Sequence, residues 1–195
     1  MSPLDRLEAW LDEAIIGLDL CPFASKVRRA GGVRIATHAI TEPFDAVHVT
    51  LDEARDLLTE THEGIQTTLV AITRGLEDFE TYLDVVATVE QALSEGGADG
   101  LLQVATFHPD YRFAPSEAEA SPVPSTREGG GPPSLGDYTN RAPYPVLHLL
   151  REVDVSDAVD RHPDPGGIPA ANIARLEAMG LDRVRELWRR WSESP

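Results

Sequence analysis

The stretch "TTLVAITRG" (67–75) decides the fold, because its apolar and β-branched residues follow one another almost without interruption. A strand with one solvated face alternates apolar and polar residues, whereas a continuous apolar run indicates a strand that is covered on both faces. The stretch "LLQVATFH" (101–108) has the same character. We therefore expect both stretches to form central strands of a sheet that helices cover.

Helical patterns separate these strands from each other and from a third one. "VRIATHAI" (33–40) indicates a strand, and apolar residues recur at helical spacing in 44–63 and 76–97. The resulting order is strand, helix, strand, helix, strand. Helical crossovers favour parallel pairing or a split βαβ arrangement. The sequence thus predicts an α/β (or α+β) fold, with a small sheet of βαβαβ order and helices on its face.

Both ends of the chain are expected to be helical. Residues 3–18 carry leucines and other apolar residues at helical spacing, and Ser2 can cap that helix. Residues 144–195 are predicted to be the helical C-terminal part of a single domain that spans 1–195. Within that part, "PVLHLLREV" is predicted to form a helix behind Tyr144, "VSDAVD" a short one, and Gly180 to divide a final helix pair.

One segment departs from these patterns. Residues 114–136, "APSEAEASPVPSTREGGGPPSLG", are rich in Pro, Gly, Ser and Glu and contain almost nothing to bury. Such a composition indicates a loop without regular structure. We therefore expect 114–136 to form a mobile loop within the domain.

The composition excludes several classes of partner. The formal net charge of -16 would repel a phosphate backbone, so we expect no nucleic-acid partner. No apolar run approaches the roughly 20 residues of a membrane helix, and the acidic, amphipathic start does not resemble a signal peptide. Because Cys21 is the single cysteine, no intramolecular disulfide can form. These features predict a cytoplasmic protein without a membrane partner and leave its oligomeric state open.

Three motifs carry a resemblance to a known family. They are "GLDLCPFA" (17–24), "LLQVATFHPDYRFA" (101–114) and "DYTNRAPYPVLHLLRE" (137–152), supported by "IPAANIARLEAMG" (168–180). With these motifs the chain resembles a bacterial family, also seen in plants, that is described as a domain of unknown function. The resemblance implies which residues belong to the shared pattern and implies no activity. In that family the connection between the second and third motifs is usually short, whereas here it is long and rich in Pro and Gly.

Three residues are candidates for catalysis. Cys21 could act as a nucleophile if its thiol pKa were lowered, and the alternative is a packed, inert thiol. His108 follows a buried strand, and strand ends in open α/β sheets often bind ligands. It could serve as general base or acid, oriented by Asp110. The alternative is a hydrogen-bonded histidine beside a surface ion pair between Asp110 and Arg112.

Six further residues are predicted to bind the substrate: Tyr111, Arg112, Asn140, Arg141, Tyr144 and His148. Arg141 lies just before a predicted helix start near Pro145, where a guanidinium and free backbone N–H groups could hold an anion. Alternatively, Arg141 could cap another helix or pair with Asp137. His148, on an apolar stretch, is more typical of a hydrogen-bonded core histidine than of a catalyst.

The leading hypothesis is an enzyme of hydrolase or transferase type that acts on a small anionic metabolite at this composite Cys/His/Asp/Arg site. The second is a metal-binding protein or metal-dependent enzyme that uses Cys21 and histidines, although the chain has no HExxH or CxxC motif. No phosphate-binding glycine motif identifies a nucleotide, so the cofactor is unknown. The third hypothesis is an interaction protein that presents Trp188 and Trp191, which could instead dock on the sheet as core residues.

Overall fold

The computed structural model describes residues 1–61, 64–113 and 134–192. The helices are α1 (Pro3–Trp10), α2 (Ala24–Arg29), α3 (Pro43–Thr59), α4 (Phe79–Glu95), α5 (Glu152–Arg161), α6 (Ile168–Met179) and α7 (Leu181–Ser192). The strands are β1 (Val33–Ala39), β2 (Thr67–Arg74), β3 (Leu102–Phe107) and β4 (Val146–Arg151). A π-helical turn (Leu11–Ile16) continues α1, and 3₁₀ turns occupy Gly136–Asn140 and Pro165–Gly167.

Local sequence signals fix the starts of the helices as expected. Ser2 caps α1, where its side chain accepts a hydrogen bond from the backbone N–H of Asp5, and Pro3 occupies the first turn. Asp78 caps α4 in the same way, because its carboxylate accepts from the backbone N–H of Thr81 at 2.8 Å. Among the described residues, no helix is long and apolar enough to cross a membrane.

The sheet has four strands in the order β1-β2-β4-β3. β1 and β2 are parallel, whereas β4 runs antiparallel to both of its neighbours, β2 and β3. β2 and β3 therefore run in the same direction with β4 between them, and α4 connects them across it. This is a split βαβ arrangement, and the expected α/β fold with helices packed on the sheet is confirmed.

The expectation that residues 144–195 are helical is wrong for "VLHLLR", which forms β4. Leu147 and Leu149 are fully buried on one face of the sheet, and Val146 is fully buried on the other. A strand that is covered on both faces shows no alternation, so its pattern cannot be distinguished from that of a buried helix. The helical C-terminal part of the chain begins at Glu152 instead.

The insertion of β4 also changes the place of β3. β2 lies inside the sheet as expected, but β3 is an edge strand and was wrongly predicted to be central.

Residues 114–133 of the predicted mobile loop lie outside the described residues, and the last residue of that loop, Gly136, begins a 3₁₀ turn.

Helices cover the two faces of the sheet unequally. α3 and α4 pack across one face, and their buried side chains join those of the strands in one cluster: Ala46, Val47, Ala54, Leu57, Tyr82, Val85, Val86 and Val89. α1, the π-helical turn, α6 and α7 pack on the opposite face: Leu7, Trp10, Leu11, Ala14, Ile15, Leu176, Val184, Trp188 and Trp191. We call the first face the α3/α4 face and the second the open face, because part of the second remains accessible.

The two C-terminal tryptophans belong to the core. Trp188 and Trp191 are 5% and 2% exposed and meet edge to face. The indole N–H of Trp188 donates to the backbone carbonyl of Arg141 at 3.0 Å, and the indole N–H of Trp10 donates to the same oxygen, also at 3.0 Å. One carbonyl thus ties α1 and α7 to the segment that leads into β4.

We predict that Trp188→Phe lowers the free energy of unfolding by about 1 kcal/mol more than Trp191→Phe does, because only the former removes a hydrogen bond to Arg141. Both substitutions remove a similar apolar area from the same cluster. Urea unfolding of the two variants measures the difference. Equal losses of stability would mean that the bond to the Arg141 carbonyl contributes nothing.

Candidate functional site

The open face contains a cleft of about 700 Å³. Its floor consists of strand side chains that point to this face: Val33, Thr67, Leu69, Gln103, Ala105, Phe107, His148 and Leu150. One wall is formed by the π-helical turn, the Cys21–Phe23 segment and α2, and the other by α5. The lining is predominantly apolar, so its few polar groups are the candidates for recognition.

The "GLDLCPFA" turn places Cys21 in the first wall. Gly17 closes tightly against the carbonyl oxygen of Glu13, where a Cβ atom would collide, and Asp19 has a φ of 51°. A left-handed conformation is uncommon outside glycine and needs support. Arg175 on α6 supplies it by binding the carbonyl and the carboxylate of Asp19, at 2.9 and 3.2 Å. The turn is therefore held by α6, the helix in the supporting motif.

Cys21 lines the cleft as a protonated thiol. Burial raises its pKa, and hydrogen bonds with the backbone of Phe23 and Ala24 only partly oppose this effect. A thiol is a weak nucleophile unless a base or a cation activates it. The structure thus brings Cys21 to the cleft in surroundings that favour the thiol over the thiolate.

His108 lies on the other side of the sheet. It is fully buried, and its ring packs against Phe79 and Tyr82 of the α3/α4 face. Nε2 lies 3.4 Å from the carbonyl oxygen of Leu76. Burial lowers its pKa. His108 does not line the cleft that Cys21 lines, so the structure does not bring these two candidates together.

Asp110 orients His108 through its backbone rather than through its carboxylate. The Asp110 N–H donates to Nδ1 of His108 at 3.0 Å, while the Asp110 side chain is exposed. Arg112 is exposed as well, and neither residue lines the cleft. The polar stretch after β3 therefore contains one buried histidine, whose Nδ1 accepts a hydrogen bond from the backbone of the turn that follows. The charged side chains of Asp110 and Arg112 lie in solvent.

The "DYTNRAPYP" motif binds the backbone of the stretch that follows β3. The side-chain Nδ2 of Asn140 donates to the backbone carbonyl of Thr106 at 3.0 Å. The backbone carbonyl of Asn140 accepts from the backbone N–H of His108 at 3.1 Å. Arg141 lies over the ring of Tyr138, 4.7 Å from its centroid, and its Nε is 3.4 Å from the carbonyl of Tyr111. These contacts brace the strand end.

The predicted anion pocket lacks its helix. A strand begins at Val146, so no helix N-terminus faces Arg141 at this point, and that expectation was wrong. Tyr144 is half-buried against the core on the open face. Of the six predicted binding residues, only His148 lines the cleft; Tyr111, Arg112, Asn140, Arg141 and Tyr144 do not.

His148 lies in the floor of the cleft on β4, where its register partners are Leu69 and Ala105. Its Nε2 is 2.6 Å from Oγ1 of Thr67, and that oxygen is 2.7 Å from the carbonyl of Leu149. Burial lowers the pKa of His148 to about 4, so the imidazole is neutral at pH 7.

Sequence reasoning missed the other polar groups of the cleft. Thr67 begins β2, Gln66 directly precedes it, and Lys26 lies on α2, a helix that was not predicted. The lining also includes polar residues of β3, β4 and α5: Gln103, Arg151, Asp154, Asp157 and Arg161. Within the described ranges no ion pair involves Lys26, whereas Arg161 across the cleft pairs with Asp157 at 2.7 Å. A polar start to an otherwise apolar strand was the available signal for Thr67.

The metal hypothesis finds no ligand cluster in the structure. In residues 1–61, 64–113 and 134–192, no group of three or more His, Cys, Asp or Glu residues could hold a metal ion. Cys21 and His148 line the same cleft, but His108 does not.

The family is settled by comparison with known proteins. A family model described as "Protein of unknown function (DUF1415)" matches residues 3–186. The chain belongs to this family. The expected membership in a family described as a domain of unknown function is thereby confirmed, and the match includes every element from α1 to α6. No curated protein and no solved structure matches the chain.

We predict that His148 makes the protein less stable as the pH falls from 7 to 5. The unfolded chain takes up a proton on this residue near pH 6.5, whereas the folded chain does so only near pH 4. Stability is therefore lost as the pH falls through the unfolded pKa, by up to about 2 kcal/mol at pH 5. Urea unfolding at both pH values should show a smaller loss for His148→Gln than for the unsubstituted protein.

The same substitution at exposed His48 provides the control for removal of an imidazole. If His148→Gln and His48→Gln show the same pH dependence, the burial of a neutral His148 is refuted.

Proposed function

We propose that this protein binds a small organic molecule, with an apolar body and an anionic end, in the cleft on the open face. The observation that supports the proposal is the cleft itself, which has a volume of about 700 Å³ and a mostly apolar lining with polar groups among it. Sites for small molecules have this size and this distribution of polarity. A sheet floor supplies rigidity, since strand pairing fixes the backbone from which its side chains project.

The apolar body of the ligand would lie against the floor and the first wall. Phe107 and Leu150 of the floor and Phe23 and Val27 of the first wall are half-buried, so each exposes apolar surface to the cleft. A ligand that displaces water from aromatic and aliphatic surface of this kind is stabilised by about 25 cal/mol for each Å² of apolar surface that leaves water.

Lys26 would bind the anionic end. It is the single lysine of the chain, it lines the cleft on α2, and within the described residues it takes part in no ion pair. In a chain with a net charge of -16, a cation of this kind at an apolar cleft favours an anionic ligand. The small anionic ligand expected from the sequence is retained, but the residue that would bind its charge is Lys26 instead of Arg112 and Arg141.

Binding is better supported than catalysis at this cleft. General base catalysis is most efficient with a pKa near the working pH, and a cysteine nucleophile acts as the thiolate. The lowered pKa of His148 and the raised pKa of Cys21 instead leave a weak base and a protonated thiol at neutral pH. A hydrolase or transferase using these two residues would require the bound substrate to reverse one of these shifts.

The proposal is tested by titration with 1-anilinonaphthalene-8-sulfonate, an aromatic anion whose fluorescence rises in apolar sites. We predict saturable binding to the folded protein. Ala158→Trp, which fills the cleft from α5, should weaken binding at least about tenfold. Ser156→Trp lies on the same helix but outside the lining and should leave binding unchanged. If Ala158→Trp binds as tightly as the unsubstituted protein, the probe does not occupy this cleft and the proposal fails.

A second pair of variants tests the role of the charge. Lys26→Gln should weaken binding about threefold to tenfold, and added salt should reduce that difference because ions screen exposed charges. Arg29→Gln, on the same helix but outside the lining, is the matched control. Equal affinities of the two variants would remove Lys26 from the site.

A further inference from the structure

We propose that His148, fixed by Thr67, presents an obligate hydrogen-bond acceptor to the cleft, so that the ligand must carry a hydroxyl or N–H group at the sheet floor. This inference rests on the proposed function and specifies the ligand class for the same site. Thr67 acts as a positioning residue, because it sets which ring nitrogen of His148 bears the proton.

The Thr67 hydroxyl has a single hydrogen to donate. Oγ1 lies 2.7 Å from the carbonyl oxygen of Leu149, and a carbonyl can only accept, so the hydroxyl hydrogen must point to it. Oγ1 also lies 2.6 Å from Nε2 of His148. With the hydroxyl hydrogen already used, this second contact is a hydrogen bond only if Nε2 carries a proton and donates it.

The other ring nitrogen then carries a lone pair. A neutral imidazole with a proton on Nε2 has an acceptor at Nδ1. Among the described residues no hydrogen bond involves Nδ1 of His148, and Nδ1 is not one of the fully buried side-chain atoms that lack a partner. Because His148 lines the cleft, its free acceptor is accessible from there.

The surroundings keep the ring in this state. Strand pairing fixes both partners, since Thr67 is opposite Leu150 and His148 is opposite Leu69. The neighbours Leu69 and Ala105 are apolar, and burial lowers the pKa of His148, so the ring does not become a double donor near neutral pH. A ligand that offers only acceptors would leave Nδ1 without a hydrogen bond and would place two lone pairs against each other. Such a mismatch selects strongly for ligands that carry a donor.

The test compares 2-naphthol with 2-methoxynaphthalene, which keeps the oxygen and lacks the donor. Isothermal titration should show that 2-naphthol binds about tenfold more tightly to the unsubstituted protein. Thr67→Val frees Nε2 from its acceptor, so both tautomers become accessible and the preference should fall to about threefold or less. Thr68→Val is the matched control: its hydroxyl is buried on the other face, has no hydrogen-bond partner within the described residues, and the preference should persist.

The tautomer itself has a spectroscopic signature. Long-range ¹H–¹⁵N spectra of the imidazole should show a protonated Nε2 and an unprotonated Nδ1 for His148 in the unsubstituted protein and in Thr68→Val. Thr67→Val should shift the two ¹⁵N resonances towards each other. A protonated Nδ1 in the unsubstituted protein overturns the inference.

The two proposals fail in different ways. If Ala158→Trp fails to weaken binding of 1-anilinonaphthalene-8-sulfonate, the proposed function falls, and the acceptor inference falls with it. If that anion binds in the cleft but neither naphthalene compound does, only the acceptor inference is overturned. If both compounds bind with equal affinity and Ala158→Trp weakens both, the proposed function stands and the acceptor inference is overturned.

Discussion

The antiparallel pairing of β4 between β2 and β3 is the constraint on which the rest of the structure depends. Its register places Leu147 and Leu149 in the α3/α4 core and turns His148 to the open face, opposite Leu69 and Ala105. A slip of one residue would exchange the faces, burying the imidazole among leucines. The contacts of β4 with its neighbours in the cleft floor, including the one between His148 and Thr67, follow from this register.

The segments 17–24, 101–114, 137–152 and 168–180 contact one another and the core mainly through backbone groups. The carbonyl of Arg141 accepts both the Trp10 and Trp188 indoles, and the side chain of Asn172 donates to the carbonyl of Leu20 at 2.7 Å. Asn140 braces the end of β3. Buried backbone groups must find partners, and irregular segments need side chains to supply them. Polar residues in these motifs can therefore be required for the fold without touching a ligand.

The sequence predicted the parts of the fold that have a clear period. The helical spacing of α1, α3 and α4 and the strand patterns of β1, β2 and β3 predicted the α/β class, and they left parallel pairing and a split βαβ arrangement open. It misassigned β4, because "VLHLLR" is buried on both faces and shows no alternation. That error placed a helix N-terminus beside Arg141. β3 was predicted to be central from its own apolar run, although it is an edge strand.

The candidate site was predictable only in part. Cys21 and His148 were named and both line the cleft, but His108 was grouped with them although it packs on the α3/α4 face. Alternation along β3 can separate its two faces, yet which helices cover each face depends on long-range packing. Thr67 and Lys26 escaped notice because each depends on a neighbour, β4 or α2, that the pattern did not reveal.

The cleft combines an apolar lining with two polar groups, the neutral hydrogen-bond acceptor of His148 and the ammonium group of Lys26. In the part of the chain that the structure describes, Lys26 takes part in no ion pair. The most direct measurement of this account is a crystal structure of the protein with 2-naphthol bound. We predict that the naphthalene ring lies on the sheet floor and that its hydroxyl oxygen lies within about 3.2 Å of Nδ1 of His148. A ring bound elsewhere, with the cleft filled only by water, would contradict it.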